Sequence, residues 1–333
     1  MSVTIKDIAK IANVSHTTVS RALNDSPLIT DETKRRIKAI AEQLNYVPNY
    51  SAKSLVLQKS YTIGLFFSSI SQGTSPSFFF ETVKGVNNAI EENYNLVVRG
   101  IDNYNDFSTI DKKRFDGIVL LSQSERDNEF IYHVLHKGIP LVVLNREIEG
   151  NSFINILSDD KEGSYKAVRY LIENNHKNIA IIEGRESFKS SIERRDGFLK
   201  ALIECNIPVR SEYMVKGNYS MKSGYDGMKE LLKLTVPPTA VFCSNDDMAV
   251  GAIKAVFESG LSVPGDISVV GFDNIGFSEF STPSLTTVKR PMEEISIMGG
   301  RKISNLIDKH SSNYEKIYIK TELIIRDSVA TLK

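Results

Sequence analysis

His16, Thr17, Thr18, Ser20 and Arg21 fall in one short run near the amino end, and all five carry hydrogen-bonding side chains. On a helix of 3.6 residues per turn, His16 and Thr17 open the first turn and Arg21 projects one turn later. Arginine can grip a guanine edge with two parallel bonds, and His or Thr can add single bonds to bases. Thr4, Thr18 and Ser20 suit phosphate oxygens, which fix position without reading sequence. Ser15 and Asn24 bound the same helix and complete a candidate DNA-contacting set. Such a run is ordinarily the wet face of a small helical bundle. Here the hydroxyl clustering, the terminal position and the local charge favour the DNA reading. Residues 1–60 contain nine Lys/Arg against five Asp/Glu, while the whole chain balances 41 against 41. The positive excess lies where phosphate attraction needs it.

A second chemistry-bearing set lies further on. Phe78, Phe79, Ser122, Asn145, Ser190, Arg194, Tyr219, Asn245 and Asp273 follow the ends of apolar runs. Arg, Asp and Asn offer paired hydrogen bonds to vicinal hydroxyls or a base edge, and Phe and Tyr supply flat apolar walls. Any α/β protein turns polar at its strand ends, so each residue alone reads equally as a cap or turn former, Asp246 and Asn274 especially. Their collection at successive ends argues for a binding cleft.

The elements that must position these residues are legible. Thr4 caps a first helix with Asp7 three positions on, in a capping-box arrangement. Asn13 and Val14 form a tight turn, Ser15 caps a second helix to about Asn24, and a third begins at Thr30. Three short helices with that turn describe a helix-turn-helix head. Pro48 disfavours helix before it, and Asn49 can cap a short stretch, residues 50–56, too brief to hold a helix alone in water. From about Tyr61, apolar runs alternate with helical segments. Strands are expected at 61–67, 96–101, 117–121, 140–144, 154–157, 178–182, 240–243 and 267–272, with helices at 78–93, 163–174, 192–205, 223–233 and 248–259. Continuous apolar strands separated by helices imply parallel sheets covered on both faces. Eight such units exceed one comfortable sheet, so two lobes with a cleft between them are expected. The reading is an all-α head, residues 1–47, a linker, 48–60, and an α/β core, 61–333. Lobe 1 comprises 61–158 and 291–316; lobe 2 comprises 159–290 and 317–330.

The run from Val3 through Ala9 and from Val14 through Asn24 resembles the head of the lactose-repressor/galactose-repressor family of bacterial transcription regulators. Residues 245–252 (NDDMAVGA), 267–274 (ISVVGFDN) and 194–198 (RRDGF) resemble three core segments of the same family, so the likeness spans nearly the whole chain. It implies a core like the periplasmic sugar-binding proteins, a homodimer on a pseudo-palindromic operator, and a small-molecule effector, a carbohydrate, between the lobes. It also implies a hinge helix after residue 48, in which Ala52 allows close pairing and Leu55 wedges into the minor groove. By the same resemblance Arg194, Asn245 and Asp273 head the effector contacts. Three departures stand out: Asn13 where most members carry glycine, a short 103–116 segment, and Arg290 where many relatives have glutamine.

Two other function classes are disfavoured by the sequence. A cleft enzyme is disfavoured, since the sequence has no GxGxxG after the first strand, no GxxxxGK loop and no GxSxG elbow. His133 and His136 share a helix face but lack a third ligand, so no metal or cofactor is expected. A pure carrier is disfavoured by the head and by an amino terminus without an apolar leader. Cys205 and Cys243 are read as free thiols, no apolar run is long enough to span a membrane, and a cytoplasmic location is expected.

Overall fold

The computed structural model describes residues 3–46, 59–92, 94–150, 152–309 and 314–333. The sequence contacts expected at Asn49, Ala52 and Leu55 lie outside the described residues. The chain divides into two compact units, Met1–Lys59 and Ser60–Lys333.

In the first unit, α1 (Ile5–Ala12), α2 (His16–Leu23) and α3 (Asp31–Gln43) begin where the caps require. The Thr4 backbone N–H and hydroxyl both donate to the Asp7 carboxylate, at 2.8 and 2.7 Å. Ser15 Oγ accepts the Thr18 N–H at 3.0 Å, satisfying a first-turn donor of α2. Asn13 sits in the left-handed region, φ 52° and ψ 47°, so the turn needs a residue that tolerates it. Ile8, Val19, Ala22 and Ile37 are completely buried and lock the three helices together.

The second unit holds two six-stranded sheets. The first contains β1 (Thr62–Phe67), β2 (Asn95–Gly100), β3 (Gly117–Leu121), β4 (Leu141–Leu144), β5 (Ile154–Ser158) and β11 (Lys316–Ile319), in spatial order β11-β5-β4-β3-β1-β2. The second contains β6 (Ile179–Glu183), β7 (Met214–Lys216), β8 (Ala240–Cys243), β9 (Ser268–Asp273), β10 (Thr286–Lys289) and β12 (Glu322–Ile324), in order β12-β10-β9-β8-β6-β7. Every pairing is parallel except β10 with β12. Strands β3 to β6 and β8 are buried along their whole length, as their largely apolar content requires when helices cover both faces.

The covering helices are α4 (Pro76–Ala89), α5 (Asn128–His136), α6 (Asp160–Glu173), α7 (Lys189–Glu204), α8 (Met221–Leu231), α9 (Asp246–Glu258) and α10 (Met292–Lys309). They pack in pairs: α4 with α10, α6 with α7, α8 with α9. Gly197 permits the second pairing, since a Cβ there would lie 2.2 Å from the Lys161 carbonyl oxygen. That close approach sets α7 over the end of the second sheet and delivers Arg194 to the cleft.

One boundary is corrected. The sequence reading puts residues 317–330 wholly in the second lobe, but Lys316–Ile319 pairs with β5 in the first sheet. Helix α10 packs on α4 and over β3, β4 and β5, so the chain leaves it beside β5 and crosses only at residues 320–321. No helix follows the 3-10 turn Ile101–Asn103 before β3, matching the short 103–116 segment.

Candidate functional site: a polar cleft and an exposed recognition helix

In the first unit, Ser15, His16, Thr17, Arg21 and Asn24 are exposed and Thr18 and Ser20 half-buried. His16, Thr17 and Arg21 are therefore free to meet a groove. Some of their neighbours are already engaged. The Ser15 and Thr18 hydroxyls bond each other at 2.9 Å, and the Asn24 amide donates to the Ser20 carbonyl at 2.8 Å.

In the second unit, the carboxyl ends of both sheets face one cleft, the place where such sheets bind ligands. Phe78, Asn145, Ser190, Arg194, Tyr219, Asn245 and Asp273, seven of the nine residues singled out in the sequence, line it. Two expected members do not. Phe79 turns away to pack 5.1 Å from the Phe67 ring within the lobe 1 core. Ser122 points into a buried network, donating to Asp127 at 2.7 Å and accepting from Arg146 at 2.8 Å. The next residue, Gln123, faces the cleft instead, and Arg290, Gly73 and Ser75 complete the wall.

Arg194, 2% exposed, is the hub of the second lobe's side. Its Nη2 lies 2.8 Å from Asp160 and 3.2 Å from Asp273, and its Nη1 donates to the Ser244 carbonyl. The guanidinium lies 3.7 Å from the centre of the Phe272 ring, a desolvated cation–π contact. Arg290 plays the matching part at the crossover from β10. Its Nε donates to Ser158 at 2.9 Å and lies 3.3 Å from Asp160, while its Nη2 donates to Asn145 of the first lobe. It also stands 5.4 Å from the centre of the Phe78 ring. Asp160 thus bridges two buried arginines. Burial works against its charge, but Arg290 and Arg194 overcome that and hold its pKa below the ordinary carboxylate value. Burial raises the pKa of Asp273, though Arg194 and Arg290 oppose the rise. Glu193 and Glu81 are each pushed up to about 7, first by burial and then by Asp160 and Asp273 respectively.

Other members are fixed by local structure. Tyr219 shares a 3.0 Å hydrogen bond with Ser190, and Gly184 leaves room for its ring, since a Cβ there would lie 2.1 Å from it. Asn245 caps α9 by accepting the Met248 N–H at 2.9 Å, and its amide donates to the Tyr219 carbonyl at 3.1 Å. Asp246 is structural, accepting from Ile275, Ser278 and Thr287 at 2.9, 2.6 and 2.5 Å. Asn145, Tyr219 and Asp273 have φ of 79°, 71° and 102°. Non-glycine residues hold such backbone at a cost of about 1–3 kcal/mol each, and strain of this kind gathers at binding sites. The Oε1 of Gln123, a residue 4% exposed, has no donor among the described residues. A buried acceptor left open costs about 1–3 kcal/mol, which a bound donor relieves.

Among the described residues, no group of His, Cys, Asp or Glu could hold a metal ion. His133 bonds the Ile110 carbonyl at 2.9 Å and serves lobe 1. No helix there is long and apolar enough to cross a membrane.

A helix-turn-helix unit joined to a two-lobed unit with one polar cleft defines a DNA-binding regulator with a binding-protein core. A family model described as bacterial regulatory proteins, lacI family, matches residues 4–49, and one described as a periplasmic binding protein-like domain matches 168–329. The chain is 60% identical over 330 residues to the "Probable HTH-type transcriptional repressor ExuR" of Bacillus subtilis (strain 168), covering 99% of both. It is 37% identical over 342 residues to the "HTH-type transcriptional repressor PurR" of Actinobacillus pleuropneumoniae serotype 3 (strain JL03), again covering 99% of both. Among solved structures, the CelR regulator in complex with cellobiose matches with TM-score 0.74 and 26% identity, covering 98% of this chain and 99% of that one. The Lac repressor bound to ONPG in its repressed state matches with TM-score 0.81 and 25% identity, covering 99% of this chain and all of that one. The chain belongs to the lacI family of bacterial regulatory proteins. It is a transcription regulator and not an enzyme.

Proposed function

We propose that the protein represses transcription in the cytoplasm by binding a pseudo-palindromic operator as a homodimer, and that a carbohydrate held between its core lobes sets operator affinity. The reading is carried by the cleft itself. Two arginines, an aspartate, two asparagines, two serines and a tyrosine converge beside the Phe78 ring, and Gln123 keeps an open acceptor there. Vicinal hydroxyls satisfy that mixture of donors and acceptors, and an aromatic wall suits a sugar ring. The relatives named above are called repressors, and the CelR structure carries cellobiose, which agree with this reading. Exposed His16, Thr17 and Arg21 supply the base-reading side chains of α2.

The test begins with full-length protein selecting its preferred duplex from random DNA. Fluorescence anisotropy on that duplex, with and without a panel of mono- and disaccharides, should show one sugar changing the affinity. Recovery of no preferred duplex, or indifference to every sugar, would reject the proposal. Arg194→Lys is the informative cleft variant, because Arg194→Ala would strand two buried carboxylates and confound binding with folding. With Arg194→Lys the sugar response should fall at least about ten-fold while operator affinity stays near wild type.

A further inference from the structure

We propose that Asp116 is a positioning residue for operator binding: its carboxylate clamps the first residues of the core, so that the chain arriving from the head enters lobe 1 at a fixed point and in a fixed direction. This rests on the reading of the protein as a homodimer on a pseudo-palindromic operator, and adds to it. Asp116 stands just before β3, at the amino ends of the strands and so at the far end of the sheet from the cleft. One of its carboxylate oxygens accepts the Ser60 N–H at 2.7 Å, and the other accepts the Tyr61 N–H at 2.9 Å. Its own N–H donates to the Thr62 carbonyl at 2.9 Å. Three bonds thus tie one residue to three successive ones, and the two to the carboxylate are of the stronger, charge-assisted kind.

The sheet does not need the two carboxylate bonds. The ladder of β1 with β2 begins at Thr62, and that with β3 at Ile63. Ser60 and Tyr61 precede it, and holding them there is costly. Tyr61 has φ of 50°, in the left-handed region that side chains other than Gly, Asn and Asp resist. Its ring is 6% exposed and lies 5.8 Å from the Tyr94 ring, while its carbonyl accepts the Asn95 N–H at 2.9 Å. The Ser60 hydroxyl accepts the Thr62 N–H at 3.2 Å, and the Thr62 hydroxyl donates back to the Ser60 carbonyl at 3.2 Å. A slack tether would require none of this. A backbone turned against its preference and pinned from both sides is what an orienting joint requires. The joint travels with the cleft wall, because β3 is buried throughout and leads from Asp116 to Gln123. Two heads on half-sites of set separation depend on such a joint, whereas one head on arbitrary DNA does not.

The test takes full-length protein, its preferred duplex, and the same duplex with one or two base pairs inserted between the half-sites. For wild type, anisotropy should show each insertion weakening binding at least about ten-fold, equivalent to about 1.4 kcal/mol. Asp116→Asn turns one acceptor into a donor facing an N–H. It should weaken the preferred duplex at least about five-fold and shrink the insertion penalty to within about three-fold, with affinity for a scrambled duplex unchanged. Ser60→Pro removes one of the two N–H donors without touching Asp116, and should move both quantities the same way. Should Asp116→Asn fail to fold, Ser60→Pro decides. A merely structural role would lower the active fraction and leave the insertion penalty intact. Hydrogen exchange on the DNA-free wild type should find the Ser60 and Tyr61 amides protected. A wild type indifferent to insertion, an unchanged penalty in the folded variants, or unprotected amides overturns the clamp and leaves the proposed function standing. If the full-length protein prefers no duplex at all, the operator reading falls and this proposal with it.

Discussion

Asp160 carries the greatest electrostatic responsibility of any single residue in the core, because two buried guanidiniums converge on it. Its folded pKa lies below the ordinary value. The contribution of the carboxylate is therefore complete above the unfolded pKa of about 3.9, and is lost as pH falls through the lower folded value. Asp160→Asn leaves Arg194 and Arg290 short of a counter-charge, at a cost of about 3–5 kcal/mol. Urea unfolding should show that gap between wild type and variant at about pH 5, and the gap should shrink steadily below about pH 4. A gap that persists undiminished into strong acid would place its origin elsewhere. Residues of this kind mark where sequence reasoning stops. Arg194, Asn245 and Asp273 were legible because each stands at a strand end or on the helix beyond it. Asp160 also opens a helix just after a strand, but nothing in sequence shows that Arg194, 34 positions away, and Arg290 converge on it, or that Ser158 meets Arg290 across 132. Ser122 failed for a finer reason: at a strand's last turn, one residue decides which side chain faces the cleft, and Asp127 and Arg146 claim Ser122. Arg290 was visible as a departure from the family pattern, but its reach to the first lobe was not.

At the scale of elements, local chemistry set the head more firmly than the core. Its helices start at the caps Thr4, Ser15 and Thr30, whose side-chain bonding fixes where each begins. The turn between α1 and α2 depends on Asn13, whose left-handed backbone a β-branched side chain resists by about 1–2 kcal/mol. A head resting on so few buried side chains has little stability to spare. Asn13→Val should therefore weaken operator binding at least about five-fold while sugar binding by the core is unchanged. Calorimetry on the same preparation checks the second half, and a parallel loss of sugar binding would show that the damage is not confined to the head. In the core, strands that form apolar runs were readable, whereas β7 (Met-Val-Lys) and β10 (Thr-Thr-Val-Lys) are short and too mixed in polarity to stand out as one. The misplacement of β11 has a different cause. Alternation identifies a half-buried edge strand but says nothing about which sheet it joins, and the path of α10 decides that.

Across the whole molecule, three connections join the lobes, at residues 158–160, 289–292 and 319–322, and they bond to one another. Arg290 in the second connection reaches Ser158 and Asp160 in the first, and the Thr321 N–H in the third donates to Asp159 at 2.6 Å. Any change of lobe angle on sugar binding must be absorbed by this braid. If sugar and operator communicate through it, the coupling obeys linkage: the factor by which sugar alters operator affinity equals the factor by which operator alters sugar affinity. Allosteric couplings are typically about 1–3 kcal/mol, which corresponds to about 5–150-fold. Arg290→Gln removes the ion pair with Asp160 but can still bond Asn145, so it should loosen the braid without emptying the cleft. Sugar affinity itself will shift, because Arg290 lines the site, but the ratio of affinities with and without operator isolates the coupling from that direct effect. Both ratios, from anisotropy and from calorimetry, should fall together in the variant. A ratio unchanged from wild type would mean that the signal leaves the cleft by another route than the connections between the lobes.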